Sequence, residues 1–339
     1  MNQNNAICEN AAIQVNAVHK SFGKVKALSG VDIQVDSGIV FALLGPNGSG
    51  KTTLIRILTT LLRPDSGKVT VGGFDVEHEP ARIRPIIGLA GQYPAVDENL
   101  TGQENLEMIG RLYHLGKKQS VIRADELLED FDLSDAAKRR AKTYSGGMRR
   151  RLDLAAALVS NPSILFLDEP TTGLDPRSRI SLWEVIKSQA KQCNSVFLTT
   201  QYLEEADRLA DRIAIMEKGM IIQEGTPQEL KDCCGGETQV KMKLTDRSQT
   251  SHTSELLAEI AQGKINQNND MGELSFPAPG GTSVLADIVR KLDANGIELT
   301  ELGLTQPTLD DVFLSITGHT TEEETDKDQR ETAGSDSAT

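Results

Sequence analysis

Between about residues 12 and 230 the apolar and polar positions alternate between two kinds of segment. Short apolar, β-branched runs of strand length are separated by longer stretches with helical spacing, and Gly- and Pro-bearing turns join them. This alternation predicts an α/β domain built on a largely parallel sheet. Strands are predicted over residues 13–18, 38–44, 67–71, 86–90, 164–167, 195–199 and 212–216. Of these, residues 39–44, 164–167 and 196–198 are almost continuously apolar, as strands covered by helices on both faces must be. From 94 to 161 the spacing is helical, which predicts an α-helical insertion within the domain.

After Lys231 the pattern changes. A Cys/Gly break at 232–237 is followed by a strand (239–244), a helix (254–262), a strand pair around 268–272, a helix (283–295) and a strand (298–304). This β-α-β-β-α-β order predicts a small α+β, ferredoxin-like domain, with a last short helix at 309–316. The predicted organisation is a disordered N-terminus (1–11), a larger α/β domain (12–230), an accessory α+β domain (231–318) and a disordered acidic tail (319–339).

Composition narrows the classes. The net charge is -13, with 36 Lys+Arg against 49 Asp+Glu, which argues against nucleic acid as a partner. Residues 320–339 alone hold seven acids and two bases. The basic triplets Lys138-Arg139-Arg140 and Arg149-Arg150-Arg151 therefore read as solvated helix faces or contacts to a membrane partner. No run approaches the roughly 18–20 apolar residues of a membrane-spanning helix, and no secretory signal is expected from residues 1–12. The four cysteines show no metal or disulfide spacing, so the chain reads as cytosolic.

Chemistry concentrates in two segments. Gly45-Pro46-Asn47-Gly48-Ser49-Gly50-Lys51-Thr52 matches G-x-x-x-x-G-K-[ST], entered by a buried strand and left through a helix predicted over 53–62. Its glycines let backbone N–H groups converge on phosphate oxygens, and the helix N-terminus, beginning at Thr53, adds partial positive charge. Lys51 is placed to reach the β- and γ-phosphates, and Thr52 to ligate Mg²⁺. In the second segment, Ile164-Leu165-Phe166-Leu167 ends in Asp168-Glu169. Asp168 is the expected Mg²⁺ holder, directly or through water. Glu169 is the expected group to orient or deprotonate an attacking water. ATP and Mg²⁺ are thus the expected substrate and metal.

A third segment, Tyr144-Ser145-Gly146-Gly147-Met148, resembles the signature motif of ATP-binding cassette (ABC) proteins, usually Leu-Ser-Gly-Gly-Gln, with both ends replaced. Other segments follow in the family's order. Gln92 resembles the Q-loop glutamine that ligands Mg²⁺ and senses the γ-phosphate. Gly173-Leu174-Asp175-Pro176 resembles the D-loop, and Phe22 the aromatic that stacks on adenine. In the switch segment Gln201 stands where most members have histidine. Its amide can donate to the γ-phosphate but cannot relay a proton, so Glu169 is the main catalytic candidate and Gln201 a sensor.

The resemblance implies a RecA-like P-loop core with an antiparallel β subdomain and an α-helical subdomain. It also implies a homodimer in which Ser145, Gly146, Gly147 and Asp175 of one copy close over the ATP of the other. The ending Gln306-Pro307-Thr308-Leu309-Asp310-Asp311-Val312-Phe313-Leu314 is similar to that of daunorubicin/doxorubicin-resistance-type ATP-binding proteins. The implied function is the ATP-hydrolysing subunit of a two-component exporter of a drug, antibiotic or other amphiphile. It would sit on the cytoplasmic side of the membrane through a separate multi-span permease. Export of a polysaccharide or lipid, or a non-transport ABC ATPase, is the alternative.

Overall fold

The computed structural model describes residues 11–92, 95–191, 195–233, 239–261, 265–269, 271–277, 282–305, 308–310 and 312–313. Apart from Ala11, the expected N-terminal segment and acidic tail lie outside these residues, as do Tyr93, Gln306, Pro307, Asp311 and Leu314. The chain divides into two units at Pro227/Gln228. Among the described residues, no helix is long and apolar enough to cross a membrane.

The first unit runs through β1 (Ile13–Phe22), β2 (Val25–Val35), β3 (Val40–Leu44), α1 (Lys51–Leu58), β4 (Ser66–Val71), β5 (Phe74–Asp75), α2 (Pro80–Ile83) and β6 (Ile87–Ala90). Then come α3 (Gly102–Leu112), α4 (Lys117–Asp130), α5 (Gly146–Ala157), β7 (Ile164–Asp168), α6 (Pro176–Lys191), β8 (Ser195–Thr200), α7 (Leu203–Leu209), β9 (Arg212–Glu217) and β10 (Met220–Gly225). Six strands form one sheet in the order β10-β9-β3-β8-β7-β6, all neighbours parallel except β10 with β9. Its middle strands β3, β7 and β8 are buried along their whole length. Phe197 on β8 packs between its register partners on the neighbouring strands, its ring 5.5 Å from Phe41 on β3 and 5.8 Å from Phe166 on β7. A second, antiparallel sheet has the order β2-β1-β4-β5. With the helical region α3–α5, this is the fold expected of a cassette.

The second unit holds β11 (Gln239–Leu244), α9 (Thr250–Leu257), β12 (Asn266–Asn268), β13 (Glu273–Pro277), α10 (Thr282–Ala294) and β14 (Leu299–Thr305); α8 (Pro227–Cys233) spans the division. Its sheet order, β12-β13-β11-β14, is antiparallel throughout, as a ferredoxin-like α+β unit requires. Val240, Met242, Leu274 and Phe276 from the strands pack with Leu257, Ile288 and Leu292 from the helices. Leu309, Val312 and Phe313 are also buried.

Several local expectations need correction. The helix after the phosphate loop begins at Lys51 rather than Thr53. Gly50, in the left-handed region at φ 112°, turns the loop directly into it. It ends at Leu58, four residues early, because Thr60 reverses the chain at φ 63°. The strands β2 and β10 fall outside the predicted set: Ser29-Gly30 interrupts β2 ahead of its alternating half from Val31 to Val35, and β10 runs Ile221-Ile222-Gln223-Glu224 without alternation. Helix α9 starts at Thr250 rather than Ser254. The buried Thr250 and Thr253 hydroxyls donate to the carbonyls of Arg247 and Gln249, at 2.7 and 2.8 Å, and so tolerate a helical environment.

Candidate nucleotide site

The phosphate loop lies at the C-terminal end of the parallel sheet, where open α/β sheets present their ligand crevice. Strand β3 delivers Gly45, whose N–H donates to the carbonyl of Thr200 at the end of β8, 3.2 Å away. No side chain fits at Gly45, where a Cβ would lie 2.3 Å from the Met216 carbonyl oxygen. Gly48 (φ 76°) and Gly50 (φ 112°) take left-handed conformations that open the loop. The N-terminus of α1 has no side-chain cap, so its N–H groups face the loop. Ser49, 3% exposed, carries a buried hydroxyl without a partner.

Lys51 is 4% exposed, and its ammonium donates to the carbonyls of Gly45 (2.7 Å) and Pro46 (2.8 Å). It lies 3.6 Å from Glu169 Oε1. Burial pushes the Lys51 ammonium below its ordinary range, while the charges of Glu169 and Asp168 hold it up. Thr52 donates to Asp168 Oδ1 at 3.3 Å. The parallel register Asp168↔Thr199 sets a further hydroxyl beside them. Thr199 donates to Asp168 Oδ1 at 2.6 Å and accepts the Glu169 N–H at 3.1 Å. Glu169 sits at φ 47°, a left-handed conformation for a residue with a side chain, and Thr172 donates to its Oε2 at 3.3 Å. The loop, Asp168 and Glu169 thus meet in one chain. The oxygen donors of Thr52 and Asp168 suit a hard cation, and uncapped N–H groups with a lysine suit phosphates.

The remaining candidates fall around this centre. Gln92 is exposed just past β6, and Gln201 follows Thr200 at the end of β8. Phe22 is half-exposed at the end of β1, with the Lys20 ammonium 5.7 Å from its ring. Thr53, in the first turn of α1, is half-buried. Ser145 N-caps α5, accepting the Met148 N–H at 3.2 Å, while Gly147 packs against Ser178. Asp175 caps the next helix by accepting from the Ser178 N–H and hydroxyl, at 3.1 and 2.5 Å. Among the described residues, no hydrogen bond or ion pair joins Ser145, Gly146, Gly147 or Asp175 to the loop at 45–53 of the same chain.

Three groups beside the site were not read from the sequence. Thr199 could have been found as the polar end of a strand parallel to the Asp168 strand. Glu205, fully buried, accepts the Trp183 indole N–H at 3.1 Å, and burial pushes its carboxyl up. Arg150 corrects the reading of its triplet as a solvated face, because it is 6% exposed and bonded to three backbone carbonyls in two segments. Lys138, Arg139 and Arg140 are exposed, but on a turn ending in the Thr101↔Arg140 bridge rather than on a helix face.

The ABC transporter family matches residues 28–172, and the C-terminal domain of ATP-binding proteins like DrrA1-3 matches residues 225–317. The daunorubicin resistance ATP-binding protein DrrA2 of Streptomyces coeruleorubidus is 48% identical, over 92% of this chain and 96% of its own. The doxorubicin resistance ATP-binding protein DrrA of Mycobacterium tuberculosis is 46% identical, over 93% and 96%. A solved ATP-binding cassette, a dimer in a post-hydrolysis state with ADP and phosphate, superposes with a TM-score of 0.59 at 26% identity, covering 63% of this chain and 98% of that one. The chain therefore belongs to the ABC transporter family, as an ATP-binding, ATP-hydrolysing subunit on the branch of the daunorubicin and doxorubicin resistance proteins.

Proposed function

We propose that this chain powers export of a drug, antibiotic or other amphiphile through a separate multi-span permease, which holds it at the cytoplasmic face of the membrane. The observation that carries this reading is the convergence of Lys51, Thr52, Asp168 and Glu169, in a chain similar along nearly its whole length to drug-resistance ATP-binding proteins. The cassette is assigned residues 12–230 and the accessory domain 231–318.

In this reading the 45–53 loop binds the ATP phosphates and Phe22 stacks on the adenine. Thr52, Asp168 and Gln92 would hold Mg²⁺, which would supply positive charge to offset that of the phosphates. Glu169 takes the proton of the attacking water, Gln201 donates to the γ-phosphate, and Lys51 supports the transferred group. Ser145, Gly146, Gly147 and Asp175 act across a two-fold homodimer on the partner's nucleotide. The test is co-expression with a multi-span protein encoded beside this one. Drug accumulation should fall only when both chains are present and Glu169 is intact. Unchanged accumulation across a panel of amphiphiles, with ATP hydrolysis intact, redirects the reading to another cargo.

Thr199 offers a narrower expectation. Its hydroxyl orients Asp168 and receives the Glu169 amide, so Thr199→Val removes about 1–2 kcal/mol of positioning hydrogen bonds. Steady-state kinetics should show kcat lowered about tenfold and a raised Mg²⁺ requirement, with ATP affinity held within about threefold.

A further inference from the structure

We infer that Arg150, braced by Asp153, is a positioning residue that locks Gln92 and the Asp168–Glu169 strand end to the helix presenting Ser145-Gly146-Gly147. This rests on the dimeric ATPase reading above. Under that reading, each chain's own nucleotide loop and the loop it offers to its partner's nucleotide are joined through one guanidinium.

The geometry is specific. Arg150 lies one turn into α5, the helix that Ser145 caps. Its Nε donates to the carbonyl of Pro170 (2.8 Å), directly after Glu169. Its Nη2 donates to the carbonyl of Asp168 (3.2 Å). Its Nη1 donates to the carbonyl of Gly91 (2.5 Å), directly before Gln92, and to Asp153 Oδ2 (3.1 Å). Asp153 Oδ1 in turn accepts the N–H of Ala95 at 2.7 Å, on the far side of Gln92. The pair therefore grips both flanks of the Gln92 segment and both flanks of Glu169 from a single helix.

Four of the five guanidinium N–H groups are engaged. Arg150 and Asp153 are 6% and 3% exposed. Burial lowers the arginine's proton affinity and raises the carboxyl's, and each opposes that shift by its charge on the other. A buried ion pair is weak evidence for stability, since an apolar pair of similar volume often packs as well. Its value here lies in where the donors point. The neighbouring arginines make unrelated contacts, Arg149 with Glu98 (2.7 Å) and Arg151 with the Phe131 carbonyl (3.0 Å). Only position 150 reaches the nucleotide segments.

A lysine keeps the charge but cannot serve three separated carbonyls in fixed directions. In the full-length protein, Arg150→Lys should lower kcat for ATP about tenfold and bring the Hill coefficient for ATP towards 1. The affinity for a fluorescent ATP analogue should stay within about threefold. Combined with Gln92→Ala, the losses should be markedly less than multiplicative, because both changes release the same segment. Should Arg150→Lys fold poorly, Asp153→Asn keeps an acceptor for Ala95 and weakens the brace. It should lower kcat about threefold, with the same fall in the Hill coefficient. Multiplicative losses with Gln92→Ala overturn the inference. So does a kcat that falls only in step with the nucleotide-binding fraction, or a Hill coefficient unchanged from a cooperative wild type. A wild type that hydrolyses no ATP overturns the functional reading itself, and with it this inference. Wild-type turnover that Arg150→Lys leaves unmoved overturns the inference alone.

Discussion

Glu169→Gln is expected to lower ATP hydrolysis by about 10²–10³-fold while ATP binding stays within about threefold of wild type. The substitution keeps the shape, and the amide oxygen can still accept from the Thr172 hydroxyl that now lies 3.3 Å from Oε2. It removes a carboxylate able to take a proton from water, while the neighbouring Asp168 is engaged by the Thr52 and Thr199 hydroxyls. Gln201 cannot replace it, because an amide holds no proton-accepting site of comparable basicity. The backbone supports the same assignment. A glutamate held at φ 47° costs of order 1 kcal/mol, and such strain persists where a site requires it. The Glu169 N–H is fixed from β8 by both the carbonyl and the hydroxyl of Thr199, each at 3.1 Å. The carboxylate therefore leaves the strand end in a set direction. Single-turnover phosphate release beside equilibrium nucleotide binding separates the two effects. A variant retaining more than about a tenth of the rate would place the base elsewhere.

Much of this site was legible because its parts are contiguous in sequence. The loop from Gly45 to Thr52 and the run ending in Asp168-Glu169 each carry their spacing within a few residues, and β3, β7 and β8 announce themselves as unbroken apolar runs. What escaped is whatever depends on two distant segments. Strand β2 buries Val31, Ile33 and Val35 in alternation with Asp32 and Gln34, but Ser29 and Gly30 interrupt it, and its first half from Val25 shows its place only once paired with β1. Arg150 sits in a basic triplet that looks solvated. Its role appears only when the ends of β6 and β7 bring Gly91 and Asp168 to one face of α5. Position 153, three residues on, lies on the same helix face, but nothing local says that its partner is the backbone at Ala95. The element order of the second unit was readable for the opposite reason: β-α-β-β-α-β is a property of succession.

Lys51→Ala is expected to weaken ATP binding by at least about 100-fold, near 2.7 kcal/mol, the scale of a charged hydrogen-bonding group removed from a buried anion site. The change should also destabilise the nucleotide-free protein. The Lys51 ammonium is the cation set 3.6 Å from Glu169, in a pocket that also holds Asp168. Removing it leaves two carboxylates of like sign there. It also leaves the Gly45 and Pro46 carbonyls without the donor they now share. These two consequences separate in the double variant. Adding Glu169→Gln to Lys51→Ala removes one of the stranded charges, so thermal unfolding without nucleotide should recover part of the lost stability. Nucleotide affinity should not recover, because the phosphate's cation is still missing. Recovery of both would mean that Lys51 serves chiefly to balance the acids. Recovery of neither would mean that its bonds to the loop carbonyls, rather than its charge, hold the apo site together.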